Sequence, residues 1–397
     1  MAETVFARIL DYANRADPYP LYAELRRTPV IRHDDGTYVV STYRAIAALM
    51  HDPRLSSDRR SEEVKARGGS AFINLDPPEH DRIRRLTMRH FGPPVHPGRI
   101  DGLAPKLTGI VDGLIDAFAD RRRADIVDEF AYPFPVAVIC SLLGVPPEDE
   151  PRFREWTDVI VERLDPAGNV MDAGPETMKT LDEFVTYIRE LIDRYRRVPG
   201  DGLISAMATD DGPDGRLSDD DIVGTSILLL IAGHETTVNL IANGWLTFLR
   251  HPEVLERLRA EPELIIRAVE ELLRYEPSVH LITWRKALVD IEVEGSVIPG
   301  GAPVVLALAA GNRDPEYVSD PDVFDPDRQV EHLAFSGGIH YCFGAPLARL
   351  EAQIALTQLA QRLGNPRLAV DPPPYRPSPV LRGPRHLMVE FDRRHVE

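Results

Sequence analysis

The stretch Phe335–Gly344 reads FSGGIHYCFG and holds one of the two cysteines in a chain of 397 residues. Glycines surround Cys342 on both sides, and glycine lets a backbone approach a flat ligand more closely than other residues do. A strongly helical run follows at once, with Pro346 near its first turn, where a missing N–H costs nothing. The sequence therefore predicts that Cys342 lies just before a helix N-terminus, where N–H groups and the helix dipole favour a thiolate.

A thiolate in such a place can bind a metal. No second cysteine or histidine stands at zinc-site spacing, so a structural site with four protein ligands is not expected. One thiolate against an open glycine surface suits haem, because the porphyrin supplies four ligands of its own. The other cysteine, Cys140, lies in the apolar run PVAVICSLLG, and we interpret it as a small buried hydrophobic side chain.

The composition argues against several classes of protein. The formal net charge is −17, and such a field repels nucleic acid and anionic membranes. Two distant cysteines do not make a disulfide framework. The N-terminal segment has no apolar core like that of a signal peptide, and the longest apolar run, Ile227–Gly233, is too short to span a bilayer. We therefore expect a cytoplasmic protein with neither a nucleic-acid partner nor a membrane partner.

Helical spacing dominates from about Asp81 onward. A long helix is predicted from Ser218, which can cap it together with the acid three residues later, to about Leu249. Other predicted helices are LTGIVDGLIDAFAD, PRFREWTDVIVERL and TMKTLDEFVTYIRELIDRYRR, and the strand-like pieces are GTYVVSTY, IEVEGSVIP, APVVLALAA and HLMVEF. With 43% hydrophobic residues and no repeat, the chain is predicted to form one mainly α domain (α+β, with small β-sheets) over residues 1–397.

Several motifs resemble those of the cytochrome P-450 monooxygenases. The cysteine loop is similar to the haem loop of that family, AGHETT to its oxygen-binding helix motif, and EELLR to its Glu-x-x-Arg pair. NRDP and FDPDR resemble the segments before the haem loop, and DPPEHDRIRR resembles the first haem-contacting helix. The motifs occur in the family's order over nearly the whole chain. The chain length and the missing membrane anchor are similar to those of the family's soluble bacterial branch. One departure is Ser336, where the family usually has glycine.

The resemblance implies a P-450 fold, with haem b held between the long central helix and the loop and helix of Cys342. Phe335 and Gly344 would then be haem contacts of the loop. His80, Arg84, Arg285 and His340 are assigned to the haem propionates. His80 and Arg84 are four residues apart and so share a helix face. The alternatives are a capping or surface role for His80 and a surface ion pair for Arg285.

Glu271 and Arg274 match the family's Glu-x-x-Arg pair. The resemblance implies that the pair is buried and joins the segment before the haem loop, so we interpret it as structural. An exposed pair of this kind contributes only about 0.3–0.5 kcal/mol.

The long helix is expected to carry the chemistry. Glu235 and Thr236 lie in its middle, where a buried acid is otherwise costly. We assign Thr236 to a hydrogen bond with the oxygen substrate and Glu235 to proton relay through water. Gly233 weakens the helix just before them and could make room for O₂ and water. The alternative for Thr236 is a hydrogen bond back to its own helix.

The substrate pocket is expected to be mostly apolar, which favours a lipophilic small molecule. About half of its candidates could instead be ordinary core. They are Ile73, Leu228, Ile231, Ala232, Leu281, Ile282, Thr283, Val380 and Leu381. The loop from Asp165 to Glu176 is predicted to act as a lid.

No flavin or iron–sulfur motif is present, so electrons must come from a separate protein. The bacterial family suggests ferredoxin and ferredoxin reductase as partners of a monomer. On a helical wheel Arg82, Arg85 and Arg89 group opposite His80 and Arg84, which predicts a docking patch for an acidic ferredoxin. The equally weighted alternative is a solvated helix face neutralised by nearby acids.

The main functional prediction is a haem-thiolate monooxygenase that hydroxylates or epoxidises a lipophilic small molecule with O₂. A second interpretation keeps the fold but changes the reaction to desaturation, oxidative coupling or a peroxide-driven oxidation. A third is a non-catalytic haem-thiolate protein that binds a ligand or a gas. Such a protein would have no need of the proton relay assigned to Glu235 and Thr236.

Overall fold

A computed structural model describes residues 4–58, 60, 71–92, 97–163, 174–213, 215–329 and 331–393. Helices make up most of these ranges. They are α1 (Val5–Leu10), α2 (Tyr19–Arg26), α3 (Tyr43–Met50), α4 (Glu79–Phe91), α5 (Pro97–Asp101), α6 (Ala104–Phe118), α7 (Pro133–Leu143), α8 (Glu150–Arg163), α9 (Gly174–Arg197), α10 (Leu203–Thr209), α11 (Asp219–Arg250), α12 (Pro252–Ala260), α13 (Leu264–Tyr275), α14 (Leu308–Asn312) and α15 (Ala345–Arg362). The predicted mainly α fold with small sheets is confirmed.

The strands are short. They are β1 (Val30–Arg32), β2 (Tyr38–Val40), β3 (Leu55–Ser56), β4 (Arg123–Asp125), β5 (Ile282–Ala287), β6 (Ile291–Val293), β7 (Ser296–Ile298), β8 (Pro303–Leu306), β9 (Leu363–Leu368) and β10 (Met388–Arg393). The piece APVVLALAA was predicted to be extended throughout. Only its first part forms β8, and the chain turns into α14 from Leu308.

The chain divides into two compact units, each built from separate segments. Unit one comprises Met1–Ser56, Lys106–Phe134 and Thr236–Glu397, and unit two comprises Ser57–Pro105 and Pro135–Glu235. A single domain over residues 1–397 stays a prediction.

Unit one contains the sheets. Its largest sheet has the order β1-β2-β8-β5-β3, in which β2 and β8 are parallel and the other pairs are antiparallel. Ile46 and Leu49 of α3 are buried in the same core cluster as Val304 and Leu306 of β8. A second sheet has the order β4-β10-β9, and β6 pairs with β7 as a hairpin. The apolar face of α3 is thus packed with β8 in one core. This packing sets the position of the C-terminal end of α3, which reaches the cysteine loop.

Unit two is helical. The aromatic side chains of α8 and α9 meet there, with the Phe153 and Phe184 rings 5.3 Å apart and the Trp156 and Tyr187 rings 5.2 Å apart. Aromatic pairs at this spacing contribute beyond simple burial. The predicted lid, Asp165 to Glu176, falls largely on residues 164–173, which lie outside the described residues.

The long helix α11 begins as the sequence predicts. The Ser218 hydroxyl oxygen accepts a hydrogen bond from the Asp221 N–H at 3.1 Å, and the Asp221 carboxylate accepts one from the Ser218 N–H at 3.0 Å. This reciprocal capping satisfies two N–H groups that the first turn leaves without helical partners. Among the described residues α11 is the one helix long and apolar enough to cross a membrane, but 72% of its most apolar window is buried, as in a core helix of a soluble protein.

Candidate active site

Cys342 lies where the sequence predicts, just before α15. Its N–H donates to the Phe335 carbonyl oxygen at 2.9 Å, which closes the loop, and its own carbonyl oxygen accepts from the Ala345 N–H at 3.3 Å. Gly344 caps the helix, and the Cys342 side chain is partly exposed. The thiol therefore stands at a helix N-terminus, where N–H groups and the dipole favour its ionised form.

The glycines of the loop serve two different purposes, which corrects the interpretation that all of them face a ligand. A Cβ on Gly338, which has φ +60°, would lie 2.3 Å from the Met50 carbonyl oxygen. A Cβ on Gly337 would lie 3.1 Å from the His51 ring. These two glycines allow the loop to pack on the end of α3. Gly344 is different, because its Cβ would meet only the Cys342 Sγ atom at 3.8 Å, so the backbone beside the thiol is open enough for a flat ligand.

Cys140 cannot replace Cys342 as a ligand. It lies on α7 with 2% of its surface exposed, and burial raises the pKa of its thiol to about 12. A thiol with such a pKa stays protonated near neutral pH, and the thiolate is the form that binds metals. The chain has only these two cysteines. The donor set of the loop therefore fits a haem with one protein thiolate.

Two of the residues assigned to the propionates lie in unit one. Arg285 is on β5 with 9% of its surface exposed, and its guanidinium donates to the Trp284 carbonyl oxygen at 3.1 Å. His340 ends the short 3₁₀ turn Gly338–His340, two residues before Cys342.

The other two lie in unit two, on α4. His80 is buried, and its Nδ1 atom is 2.7 Å from the Asp81 carboxylate. The Arg84 guanidinium lies 5.8 Å from the centre of the Phe72 ring, and the His80 ring contacts the same phenylalanine edge to face at 6.1 Å. The shared helix face that the sequence predicts for His80 and Arg84 is present.

The middle of α11 carries the predicted Glu235 and Thr236. Glu235 is buried, Thr236 is partly exposed, and Ala232, one turn earlier on the face of Thr236, is exposed. Ala232 and Thr236 thus place small, accessible side chains on one face of a helix that is mostly buried around them. The role given to Gly233 needs correction, because α11 is continuous through it and a Cβ there would lie 2.8 Å from the Ile139 side chain. Gly233 accommodates the packing of Ile139.

The pocket candidates divide by burial. Leu281, Ile282 and Val380 belong to the core clusters of unit one, and Leu228 is also buried. Side chains already packed against protein leave little surface for a ligand. The more accessible candidates are Thr283 and Leu381 in unit one and Ile73, Ile231 and Ala232 in unit two.

Glu271 and Arg274 form a buried pair on α13. Two guanidinium nitrogens of Arg274 lie 2.7 Å from the two Glu271 carboxylate oxygens. Arg274 also donates to the carbonyl oxygens of Asn312 and Pro321, at 3.1 and 2.8 Å. Glu271 accepts from the Asp325 N–H at 3.1 Å. The pair therefore ties α13 to the segment that precedes the cysteine loop, which is the position implied by the family resemblance.

The three arginines of the proposed docking patch differ in environment, and the contacts of two of them match the alternative of a helix face neutralised by nearby acids. Arg82 pairs with Asp221 at 3.0 Å, and Arg89 pairs with Asp210 at 2.9 Å. Arg85 is the exposed member of the three. Acids of the same unit thus neutralise two of the three charges.

Sequence reasoning missed a second ion pair on α13. Glu270, next to Glu271, binds Arg349 of α15 at 2.6 and 2.9 Å. The signal was present, since an acid stands beside the Glu-x-x-Arg motif and an arginine stands seven residues after Cys342. Nothing local, however, shows that these two residues meet.

A family model described as Cytochrome P450 matches residues 9–391. This chain belongs to the cytochrome P450 family. It is 41% identical to cytochrome P450 monooxygenase PikC of Streptomyces venezuelae over 95% of this chain and 92% of that protein. It is 37% identical to a vitamin D3 dihydroxylase of Streptomyces griseolus over 96% of each. The crystal structure of CYP109E1 from Bacillus megaterium in complex with corticosterone matches with a TM-score of 0.86 and 34% identity, over 95% of this chain and 99% of that one.

Membership establishes the general chemistry. The protein is a P450 monooxygenase whose cofactor is haem b with a cysteine thiolate ligand. It uses O₂ and a lipophilic substrate, and it receives electrons from redox partners.

Proposed function

We propose that the protein inserts one oxygen atom of O₂ into a lipophilic small molecule, by hydroxylation or epoxidation, with Cys342 as the thiolate ligand of the haem. The observation that carries this is the placement of Cys342, held by the Phe335 carbonyl oxygen directly before α15 with open backbone at Gly344. Cys342 would hold the haem through its thiolate, and the haem would supply the oxidising chemistry when bound.

The surrounding residues have roles in binding and proton supply. Phe335 and Gly344, which flank Cys342 in the loop, would contact the haem. Four cationic or donor side chains would hold its propionates, and they are His80, Arg84, Arg285 and His340. Such charge-assisted hydrogen bonds are stronger than neutral ones.

Glu235 and Thr236 supply and direct protons. The buried Glu235 carboxyl would pass protons from bulk water to internal water, while the Thr236 hydroxyl would donate a hydrogen bond to the oxygen substrate. Positioned proton transfer of this kind contributes roughly 10²–10⁴-fold in rate.

The substrate is proposed to be apolar with few polar groups. The accessible candidates Ile73, Ile231, Ala232, Thr283 and Leu381 include one hydroxyl. The relative named vitamin D3 dihydroxylase and the related structure in complex with corticosterone support a largely apolar molecule of that kind.

The electrons are proposed to come from NAD(P)H through ferredoxin reductase and ferredoxin to a cytoplasmic monomer. The chain's two cysteines are too few for an iron–sulfur cluster of its own. Arg85 is the exposed cation of α4 that could meet an acidic ferredoxin.

The deciding experiment compares Cys342→Ser with the control Cys140→Ser. Cys342→Ser should abolish the red-shifted absorption band of the ferrous–CO complex, because that band requires a thiolate. Cys140→Ser should keep the band. A band that persists in Cys342→Ser would remove Cys342 as the ligand. Turnover with NAD(P)H, reductase, ferredoxin and O₂ then separates oxygen insertion from desaturation, coupling and mere ligand binding.

A further inference from the structure

One carboxylate on α13 contacts the chain on both sides of the cysteine loop. Glu270 accepts hydrogen bonds from Arg349 Nε at 2.6 Å and from Arg349 Nη2 at 2.9 Å. It also lies 3.3 Å from His332 Nε2. His332 stands ten residues before Cys342, and Arg349 stands seven residues after it. Glu270 thereby joins the start of the loop to the helix that follows it.

Arg349 extends this contact into the loop itself. Its guanidinium lies 4.5 Å from the centre of the Phe335 ring, and its Nη1 atom is 3.5 Å from the Tyr341 hydroxyl. The Phe335 carbonyl oxygen accepts the Cys342 N–H at 2.9 Å. A guanidinium that is held by a carboxylate and stacked on an aromatic ring has few other orientations available. The fixed Arg349 therefore fixes Phe335, and Phe335 holds the backbone of Cys342.

His332 has a defined tautomer in this arrangement. The Ala334 N–H donates to His332 Nδ1 at 3.3 Å, so Nδ1 is an acceptor and the ring proton resides on Nε2. The Nε2–H group then donates to Glu270. The His332 side chain is only 6% exposed, so this geometry holds the segment just before the loop against α13.

The pKa shifts of Glu270 and Arg349 agree with a contact that persists near neutral pH. Burial raises the pKa of Glu270, but hydrogen bonds from Arg349 and His332 outweigh it and lower that pKa to about 2. The hydrogen bond to Glu270 raises the pKa of Arg349. Glu270 is thus ionised throughout the ordinary working range of pH.

We propose that Glu270 is a positioning residue, which holds the Cys342 loop closed by binding His332 and Arg349 at its two ends. Its neighbour Glu271 has a different task, since it bonds to Arg274, the Asp325 N–H and Arg328, all outside the loop Phe335–Gly344. The effect that we expect on the ferrous–CO band rests on the proposed role of Cys342 as the haem ligand. The effect that we expect on hydrogen exchange in the loop does not depend on that role.

The test is Glu270→Gln in the haem-loaded full-length protein, compared with Asp327→Asn. Asp327 is a matched control because its carboxylate also bridges two basic side chains near α13, Arg257 and Arg267, and its side chain is exposed to a similar degree, 44% against 38% for Glu270. Hydrogen exchange is measured for peptides that cover residues 333–344, and the lifetime of the red-shifted ferrous–CO band is measured in parallel. Glu270→Gln should speed exchange at Ala334 and Cys342 and shorten the band lifetime, each by about fivefold, as expected when charge-assisted hydrogen bonds are weakened.

Asp327→Asn should leave both measurements unchanged, and helical content should be equal in all three proteins. Equal exchange of residues 333–344 in wild type and Glu270→Gln would overturn the proposal, as would equal acceleration in Asp327→Asn. If Glu270→Gln does not fold, Arg349→Lys decides, since lysine keeps the charge but loses the two-point bond and the stacking. Wild-type exchange in Arg349→Lys would then reject the proposal. A failure of Cys342 as ligand would appear in the absorption band of Cys342→Ser, while the exchange data would still report on Glu270.

Discussion

The Ser278 hydroxyl donates a hydrogen bond of 2.7 Å to the carbonyl oxygen of Thr236 in the middle of α11. The Ser278 carbonyl oxygen in turn accepts the Arg382 N–H at 2.9 Å, and the Asn243 side chain donates to the Arg382 carbonyl oxygen at 3.0 Å. These bonds lie within unit one and connect two loops to the backbone of Thr236, the residue assigned to the hydrogen bond with the oxygen substrate. The backbone position of Thr236 is therefore set from outside the helix as well as within it.

Ser278→Ala should lower the product formed per NAD(P)H consumed, because Thr236 loses an external support. The matched control is Ser226→Ala, since Ser226 is buried on the same helix and donates a similar bond of 2.8 Å to the Ile222 carbonyl oxygen. Both variants should lose about 0.5–1.5 kcal/mol of unfolding free energy. Only Ser278→Ala should change the product ratio. An equal ratio in the two variants would show that Ser278 serves stability alone.

Thr236→Ala should leave substrate binding intact while it diverts electrons into peroxide. The reason is the loss of the hydroxyl that is proposed to donate to the oxygen substrate, and Thr236→Ser should restore most of the product. The measurements are the substrate-induced spectral shift and the ratio of product to NAD(P)H consumed. An unchanged ratio in Thr236→Ala would contradict the assigned role.

Glu271→Ala should lower the yield of folded, haem-loaded protein. The substitution leaves Arg274 buried with its charge uncompensated, and breaking a buried pair in this way costs about 3–5 kcal/mol. The control is Glu24→Ala, because Glu24 and Arg8 form an exposed pair at 3.0 Å, and such pairs contribute at most about 1 kcal/mol. Yield, haem content and thermal midpoint are compared. Normal yield and haem content in Glu271→Ala would reject a structural role for the pair.

Ser336 has φ +60°, so it occupies the left-handed region where the family usually has glycine. In that region the backbone strain of a residue with a side chain lowers the free energy of unfolding by roughly 1–2 kcal/mol. Glycine avoids this strain but lowers the free energy of unfolding by about 0.5–1 kcal/mol, because its unfolded state has more conformational freedom. Ser336→Gly should therefore stabilise the protein by about 0.5–1 kcal/mol, measured as a higher denaturant midpoint. Glu263→Gly is the control, since Glu263 has φ −65° and its replacement should destabilise. A lower midpoint for Ser336→Gly would mean that the serine side chain supports the loop.

The parts of the site that the sequence predicts depend on local signals. Cys342 precedes α15 because glycine and proline mark the end of the loop and the first turn of the helix. The start of α11 follows from the three-residue spacing of Ser218 and Asp221. Such features need only a few neighbouring residues, so they can be predicted without any knowledge of packing.

The parts that the sequence does not predict depend on contacts between distant residues. Gly338 is needed because Met50 lies beside it, and Gly233 is needed because Ile139 does. A glycine pattern alone does not distinguish close packing from contact with a ligand. The helical wheel of α4 likewise separates two faces of the helix but cannot show which carboxylates meet those faces from other helices.

The electron partner is tested through Arg85, the exposed arginine of α4. Arg82 and Arg89 are already paired with Asp221 and Asp210, so Arg85 carries most of the attraction that this helix can offer an acidic ferredoxin. Arg85→Glu should slow ferredoxin-supported turnover most at low salt, because exposed charges act over about 8 Å at physiological ionic strength and farther at lower salt. Lys179→Glu is the matched control, since Lys179 is 79% exposed on α9 and its reversal changes the net charge equally. Peroxide-supported turnover and substrate binding should be the same in both variants. Equal ferredoxin kinetics for wild type and Arg85→Glu at low salt would place the docking surface elsewhere. Equal slowing in Arg85→Glu and Lys179→Glu would show that the net charge of −17, and not the α4 face, controls the encounter.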